Sequence, residues 1–403
     1  MVQRKQYMNK LIKWKDKEVI KVVTGIRRCG KSTLLQLYQK YLMENGIDKE
    51  QCISINFEDI EYERLKEYHK LYKYIQAKIT PERKYYIFLD EIQNVPEFQR
   101  AVDSLQLLKN VDIYLTGSNA YMLSGELATL LSGRYVEIRM LPLSFAEYYE
   151  MKGGDKREAF QGYYKQGGFP YAVTIDENDI YRDYLQGIYH TVLLKDVVER
   201  KKVSDVAALE AVIRFLSDNI GNIVSVKKVA DSLTSDGRKT TSATIDNYIE
   251  ALKESFVLYE AGRYDIKGKQ YLRSLEKYYL VDMGIRNLLL GERSHDVGHI
   301  LENIVYLELL RRGYQVSIGK VDNLEVDFVA QKGEDRIYYQ VSASVLNPET
   351  YEREFKPLKK IADNYPKYVL TMDELPMGED GIKQANIIDF LLEQSCGESG
   401  NKH

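Results

Sequence analysis

The sequence predicts an α/β protein of more than one domain, led by a parallel sheet, and three observations carry that expectation. A β-branched run at residues 18–24 (EVIKVVT) enters a glycine-containing turn that opens an amphipathic helix. Two further apolar runs, KYYIFLDEIQ at 84–93 and VDIYLTGSN at 111–119, end in polar residues, as parallel strands do at a ligand-bearing edge. The chain has 403 residues, too many for one ordinary core, and is 44% hydrophobic and 29% charged, a globular balance.

Composition narrows the function classes. A net charge of −3 does not advertise a nucleic-acid or anionic-membrane partner, although a local basic patch can hide inside it. The cysteines Cys29, Cys52 and Cys396 form no CxxC pair, which suits a reducing compartment. The first eighteen residues lack the apolar core of a signal peptide, and no uninterrupted apolar run approaches ~18 residues. The expectation is a cytoplasmic protein without a membrane span.

The first strand leads into the most informative stretch. From Gly25 the sequence reads G-I-R-R-C-G-K-S, matching G-x-x-x-x-G-K-[ST] without a gap, and TLLQLYQKYLMENG follows as a helix closed by Gly46. Strand, loop and helix occur in the order that a phosphate cradle requires. Backbone N–H groups of Gly25, Ile26, Arg27, Arg28, Cys29, Gly30, Lys31, Ser32 and Thr33 are then the candidate nucleotide contacts. Gly25 and Gly30 supply conformations and clearance that a side chain would block. Lys31 is expected to neutralise the β/γ-phosphates, and Ser32 to offer its hydroxyl to Mg²⁺. Either Arg27 or Arg28 is expected to face phosphate, or to pair with Asp90 or Glu91 in the empty state. Cys29 reads as a small buried filler, with oxidant sensing as the alternative.

A phosphate loop needs a carboxylate from a second strand. The run 84–93 supplies Asp90, expected to hold Mg²⁺ through water, and Glu91, expected to polarise the attacking water as general base. The adjacent Asp-Glu pair, and the lack of an N/T-K-x-D stretch, favour ATP over GTP. The third strand ends at Thr116, Ser118 and Asn119, candidates to sense the γ-phosphate or position the water. SGELATLLSGRYVEIRML then reads as a helix, Gly133-Arg134 and a fourth strand. Arg134 is placed near the nucleotide edge of its own sheet or near a neighbouring subunit's; the plain alternative is a surface arginine.

Taken as an ordered set, GIRRCGKSTLL, FLDEIQNV, LTGSNAYMLS, LSGRYVEIRMLPLSFAEYY, QGGFPYAV and LEKYYLVDMGIRNLLLG resemble the AAA+/STAND-related ATPases of bacteria and archaea. More narrowly, the chain is similar to AAA family ATPases with a C-terminal domain of unknown function. The resemblance implies Walker A at Gly25 to Ser32, Walker B at Asp90 and Glu91, a sensor at Ser118 or Asn119, and a γ-phosphate-reading role for Arg134. It also draws Gly168-Phe169-Pro170 toward a G-x-P loop that packs on adenine. Phe169 and Tyr171 beside it make stacking physically reasonable, while a hinge between domains explains GGFP as well.

Downstream, residues 179–203 and 206–220 read as helices, and SVKKVADSLT and TTSATIDNYIEALKES as two more with Ser/Thr caps. FVLYEAGRYD, a Lys267-Gly268 turn and KQYLR follow as a hairpin, so that the module reads as a winged helix. Residues 205–265 carry seven lysines and arginines against ten acids, and the candidate recognition helix bears Asp246, Glu250 and Glu254. That sign opposes a phosphate-lined groove, whereas Arg263, Lys267, Lys269, Arg273 and Lys277 cluster on or near the wing.

Residues 298–312 form a helix containing Glu302, followed by strands YQVSI, EVDFVA and RIYYQVSAS, the helix YEREFKPLKKIADN and the strand PKYVLTMD. This order is similar to the PD-(D/E)xK nuclease fold. Glu302 and Asp327 sit where its first two acids should be, but the E-x-K strand reads Gln340-Val341-Ser342. Glutamine carries no charge to hold a divalent ion and serine cannot replace the lysine, so a nuclease-like fold without nuclease chemistry is expected.

The organisation read from the sequence is a P-loop AAA+-like domain (1–150), a helical lid or linker (151–204), a winged helix (205–290), a nuclease-like domain (291–395) and a tail (396–403). The expected protein is a Mg²⁺-dependent ATPase whose nucleotide state governs how the C-terminal domains meet a protein partner, with homo-oligomers one route to catalysis. The alternatives are an ATP-gated adaptor with negligible turnover and a DNA-associated ATPase or defence factor.

Overall fold

A computed structural model describes residues 2–118, 131, 133–191, 197–198, 203, 205–238, 240–292 and 297–393. The chain divides into two compact units: Met1–Pro142 with Glu254–Phe256, and Leu143–Lys253 with Val257–His403.

The first unit runs α1 (Lys5–Trp14), β1 (Ile20–Thr24), α2 (Lys31–Glu44), β2 (Cys52–Asn56), α3 (Tyr68–Gln76), β3 (Tyr85–Asp90), α4 (Phe98–Gln106), β4 (Val111–Gly117) and β5 (Tyr135–Arg139). All five strands pair in parallel, in the order β2-β3-β4-β1-β5. Alternation along the strands explains the two layers. Ile20 and Val22, Ile53 and Ile55, Ile87 and Leu89, and Ile113 and Leu115 share one face, packed on Leu71 and Ile75 of α3 and Val102 and Leu105 of α4. Each such fully buried side chain contributes about 1.5–3 kcal/mol. The opposite face carries Lys21, Phe88 and Tyr114, where the Lys21 ammonium pairs with Asp112 and the Tyr114 hydroxyl donates to the same carboxylate. Tyr38 of α2 meets the Tyr114 hydroxyl at 3.0 Å, tying the helix after the loop to the sheet.

The three strands read at 18–24, 84–93 and 111–119 and the fourth beyond Arg134 all form. β2 is a fifth, unforeseen one: an edge strand of five residues whose outward Ser54 and Asn56 dilute its apolar signal. The helix read at 124–132 lies outside the described residues apart from Leu131, as does most of 192–202.

The second unit runs α5 (Phe145–Lys152), α6 (Lys156–Gln166), α7 (Asn178–Ile188), α8 (Val206–Asp218), β6 (Ile223–Val224), α9 (Val226–Ser235), α10 (Ser242–Glu254), β7 (Leu258–Asp265), β8 (Gln270–Leu280), α11 (Met283–Leu290), α12 (Val297–Arg311), β9 (Gln315–Val321), β10 (Leu324–Lys332), β11 (Asp335–Val341), α13 (Pro348–Lys359), β12 (Lys367–Thr371), β13 (Ile382–Asn386) and α14 (Ile387–Leu392). Caps explain several starts: Ser144 and Glu147 form a reciprocal capping box on α5, and Asp155, Asp205 and Ser225 cap α6, α8 and α9.

The three helices and hairpin expected at 205–290 form, but the hairpin is not a free wing. β7 pairs in parallel with β9, so one eight-stranded sheet runs β13-β12-β11-β10-β9-β7-β8-β6. Tyr264 and Ile266 from the hairpin share a core with Val326, Tyr338, Phe355 and Val369. Hairpin and C-terminal layer are therefore held by the same buried surface.

Candidate nucleotide site

The turn between β1 and α2 is built by backbone conformation. Gly25, Arg28 and Gly30 have φ values of 147°, 66° and 102°, and together they coil the chain so that α2 begins at Lys31. At Gly25 a second constraint applies: a β-carbon there would overlap the Met140 carbonyl oxygen just beyond β5. Ile26 and Cys29 are buried beneath the turn, with the Cys29 sulfur 3.6 Å from the Met140 carbonyl oxygen. Burial pushes the Cys29 thiol above its usual range despite the nearby Lys31 and Arg4 cations, which favours the filler reading. Ser32 and Thr33 are half-buried in the first turn of α2, and Arg28 is exposed.

The Lys31 ammonium is buried and curls back over the turn, donating to the carbonyl oxygens of Gly25 at 3.0 Å and Ile26 at 3.2 Å. It also stands 3.7 Å from a Glu91 oxygen. Glu91 follows the last residue of β3 with φ 52°, a left-handed turn that swings its carboxylate back over the sheet edge. Its other oxygen accepts from Ser118 at 3.0 Å and from the Gln93 amide. Gln93 also donates to Ser118 at 3.2 Å, and Arg27 donates to the same hydroxyl at 3.4 Å. Thr116 locks the neighbouring acid: its hydroxyl donates to Asp90 and accepts the Glu91 backbone N–H at 2.9 Å.

Lys31, Asp90, Glu91 and Ser118 thus meet at the carboxyl edge of the sheet, where the sequence placed them. Of the two arginines in the turn, Arg27 reaches this cluster through Ser118. Gln93 was not foreseen. A lone glutamine after Asp-Glu carries no signal until the left-handed Glu91 folds the turn back on itself. Asn119 lies outside the described residues.

Arg134 is elsewhere. Its carbonyl oxygen accepts from the Ile20 N–H, at the beginning of β1, whereas the phosphate turn follows the end of that strand. Because β1 and β5 are parallel, a residue just ahead of β5 lies at the amino edge of the sheet. Placement near the nucleotide edge of its own sheet is therefore corrected; Arg134 is exposed on the opposite edge.

In the GGFP stretch Phe169 is not free to stack. Phe169 is fully buried within the second unit, and Pro170 is half-buried there. Gly168 donates its N–H to Asp282 at 2.6 Å, and a β-carbon at Gly167 would overlap the same carboxylate. Gly167 is thus required by Asp282, and Gly168 by the Leu143 carbonyl oxygen, which a β-carbon there would overlap. Of the aromatics, Tyr171 alone is exposed, and its ring meets Tyr184 edge-on at 4.9 Å.

A five-stranded parallel sheet of this order, with a glycine-lysine-serine turn after β1 and an Asp-Glu pair after β3, defines a P-loop ATPase fold. The family described as "AAA domain" matches residues 17–149, and a domain of unknown function (DUF8612) matches residues 157–296. An uncharacterized protein of Haemophilus influenzae is 42% identical over 400 residues, spanning 98% of this chain and 99% of that one. The uncharacterized protein MJ1544 of Methanocaldococcus jannaschii is 30% identical over 389 residues, spanning 92% and 85% respectively. Among solved structures, the Walker-type ATPase PABY2304 of Pyrococcus abyssi shares the fold with a TM-score of 0.50 at 18% identity, over 72% of this chain and 96% of that one. The chain belongs to this family of AAA-domain, P-loop ATPase-like proteins with a C-terminal domain of unknown function. Among the described residues no helix is long and apolar enough to cross a membrane.

Proposed function

We propose that the protein binds ATP with Mg²⁺ at the Gly25–Ser32 turn, hydrolyses it, and uses its nucleotide state to control how the second unit meets a protein partner. The observation that supports hydrolysis is the Glu91 carboxylate, held beside the Lys31 ammonium by Ser118 and Gln93. Loop N–H groups and the start of α2 favour phosphate oxygens. Lys31, now bonded to loop carbonyls, is the group that turns to the β/γ-phosphates. The donor set suits a hard divalent cation, with Ser32 and Asp90 the residues that would hold it. Mg²⁺ supplies neutralisation of phosphate charge when bound. Glu91 accepts the proton of the attacking water, and Ser118 orients that carboxylate.

A second reading, an ATP-held adaptor with little turnover, draws on the same contacts. A general base bonded to Ser118 and Gln93 and facing the Lys31 ammonium is restrained, and a partner is then needed to release it. Steady-state hydrolysis by wild type, Lys31→Ala and Glu91→Gln tests the proposal. Turnover lost in both variants supports the enzyme, and ATP binding without wild-type turnover supports the adaptor.

A further inference from the structure

Nucleases of the fold that the C-terminal order resembles hold a divalent cation between acids at the positions of Glu302 and Asp327, and the residues present here do not fit one. Glu302 is buried on α12, and Asp327 lies in the β10 segment where the register against β9 shifts between Val326 and Val329. Such a bulge re-aims a side chain; here one Asp327 oxygen accepts the Val341 N–H of β11 at 2.8 Å and the other faces Lys277. The space between these acids holds Lys277 of β8. Its ammonium lies 2.9 Å from a Glu302 oxygen, 2.7 Å from Glu325 and 4.0 Å from Asp327.

The pocket is closed around that ammonium. Lys277 and Glu302 are both buried, and the Tyr279 hydroxyl donates to Glu302 at 2.6 Å. A β-carbon at Gly221, in the turn after α8, would press on Glu302 and His299, so the lid is bare backbone. Gln340, where the third acid would stand, is committed at both ends: its oxygen accepts the Asp327 N–H at 2.7 Å and its amide donates to Glu354 at 2.8 Å. Although burial alone would lower the Lys277 ammonium, Glu302, Asp327 and Glu325 together hold it above its usual range. With the ammonium between them, Glu302, Glu325 and Asp327 are spread around Lys277 and form no group set to hold an ion among the described residues.

We infer that Lys277 is the resident cation of this pocket, a side chain of the hairpin standing where a nuclease of this fold carries its metal ion. The acids that would bind a divalent ion instead clamp β8 to α12 and β10. A charge-assisted buried cluster of this kind is costly to break from one side, because the remaining charges are left unpaired. Metal-assisted phosphodiester cleavage is accordingly not a property of this pocket, and the basic group that sequence position assigned to a wing surface is an internal tie.

The test is Mn²⁺ binding to the nucleotide-free full chain, read as the loss of the free-Mn²⁺ paramagnetic resonance signal. Wild type and Glu302→Gln are expected to bind the same number of equivalents, because Lys277 excludes the ion from the acids. Lys277→Met is expected to bind about one more equivalent than wild type, and Lys277→Met/Glu302→Gln to lose it again. Wild type binding an equivalent that Glu302→Gln lacks would overturn the inference, as would a folded Lys277→Met with no added Mn²⁺. Should Lys277→Met fail to fold, the comparison of wild type with the near-isosteric Glu302→Gln decides alone.

Discussion

The Lys31 ammonium lies 3.7 Å from the Glu91 carboxylate, so the expected phosphate-binding cation and the expected general base face each other at the sheet edge. Both are buried, and each has other partners: loop carbonyls for Lys31, Ser118 and Gln93 for Glu91. Phosphate entering the loop competes for Lys31, which leaves Glu91 to its two neutral donors. The site is a set of linked hydrogen bonds, and its parts are separable by substitution.

Gln93 restrains Glu91, so Gln93→Ala is expected to raise basal ATP turnover. Losing one hydrogen bond to a charged group, worth about 1.5 kcal/mol, corresponds to roughly a tenfold ceiling. Initial rates at saturating ATP measure it. A fall in kcat at unchanged KM would instead assign Gln93 to positioning the base for reaction.

Gly25 is constrained twice, by φ 147° and by the Met140 carbonyl. Gly25→Ala is expected to destabilise the first unit by at least about 2 kcal/mol. Gly46 shares a positive φ of 86° but has open space around its α-carbon, so Gly46→Ala should cost only about 1 kcal/mol. Urea midpoints of the two variants give the comparison, and equal losses would contradict the crowding at Gly25.

Burial pushes the Asp282 carboxyl up to about 6, against the Gly168, Ile285 and Gly284 N–H groups that favour its charged form. The folded chain therefore keeps a proton that the unfolded chain releases at lower pH. The resulting stabilisation is fully present below the ordinary aspartate value and is lost as pH rises through about 6. At about 1.4 kcal/mol per pH unit, wild type should lose up to about 3 kcal/mol relative to Asp282→Asn between pH 4 and 7. A stability gap that stays constant over that range contradicts the assignment.

Arg134 sits at the amino edge of its own sheet, so a role at phosphate requires a neighbouring subunit. Arg134→Ala and Glu91→Gln should each be inactive alone, and mixing them should restore part of the hydrolysis. Specific activity should also climb with protein concentration. A flat specific activity and no complementation would leave Arg134 as a surface residue.

The residues that carried a local pattern were legible. The Gly25 to Ser32 turn, the Asp90-Glu91 pair and Ser118 each come at the end of an apolar strand, and parallel strands bring their carboxyl ends to one edge. Features that depend on pairing or turning were not legible. β2 is a short edge strand of mixed polarity, and Gln93 reaches Glu91 only through a left-handed turn. Of the placements open for Arg134, the one at its own nucleotide edge fails because a residue ahead of a parallel strand lies at the amino edge, away from the strand ends that carry the phosphate turn. Lys277 was misread for a related reason. It was grouped with surface cations of the wing, whereas β7 pairing with β9 carries the hairpin into the C-terminal sheet and buries the lysine.

The most direct measurement is Mg²⁺-dependent ATP hydrolysis by wild type, Lys31→Ala and Glu91→Gln, with ATP binding followed in parallel. Wild type should turn over. Lys31→Ala should lose ATP binding by about tenfold or more, and Glu91→Gln should keep binding while turnover falls by about 10²–10⁴. Full turnover in Glu91→Gln, or undiminished ATP affinity in Lys31→Ala, would contradict the assignment of this turn as a catalytic phosphate site.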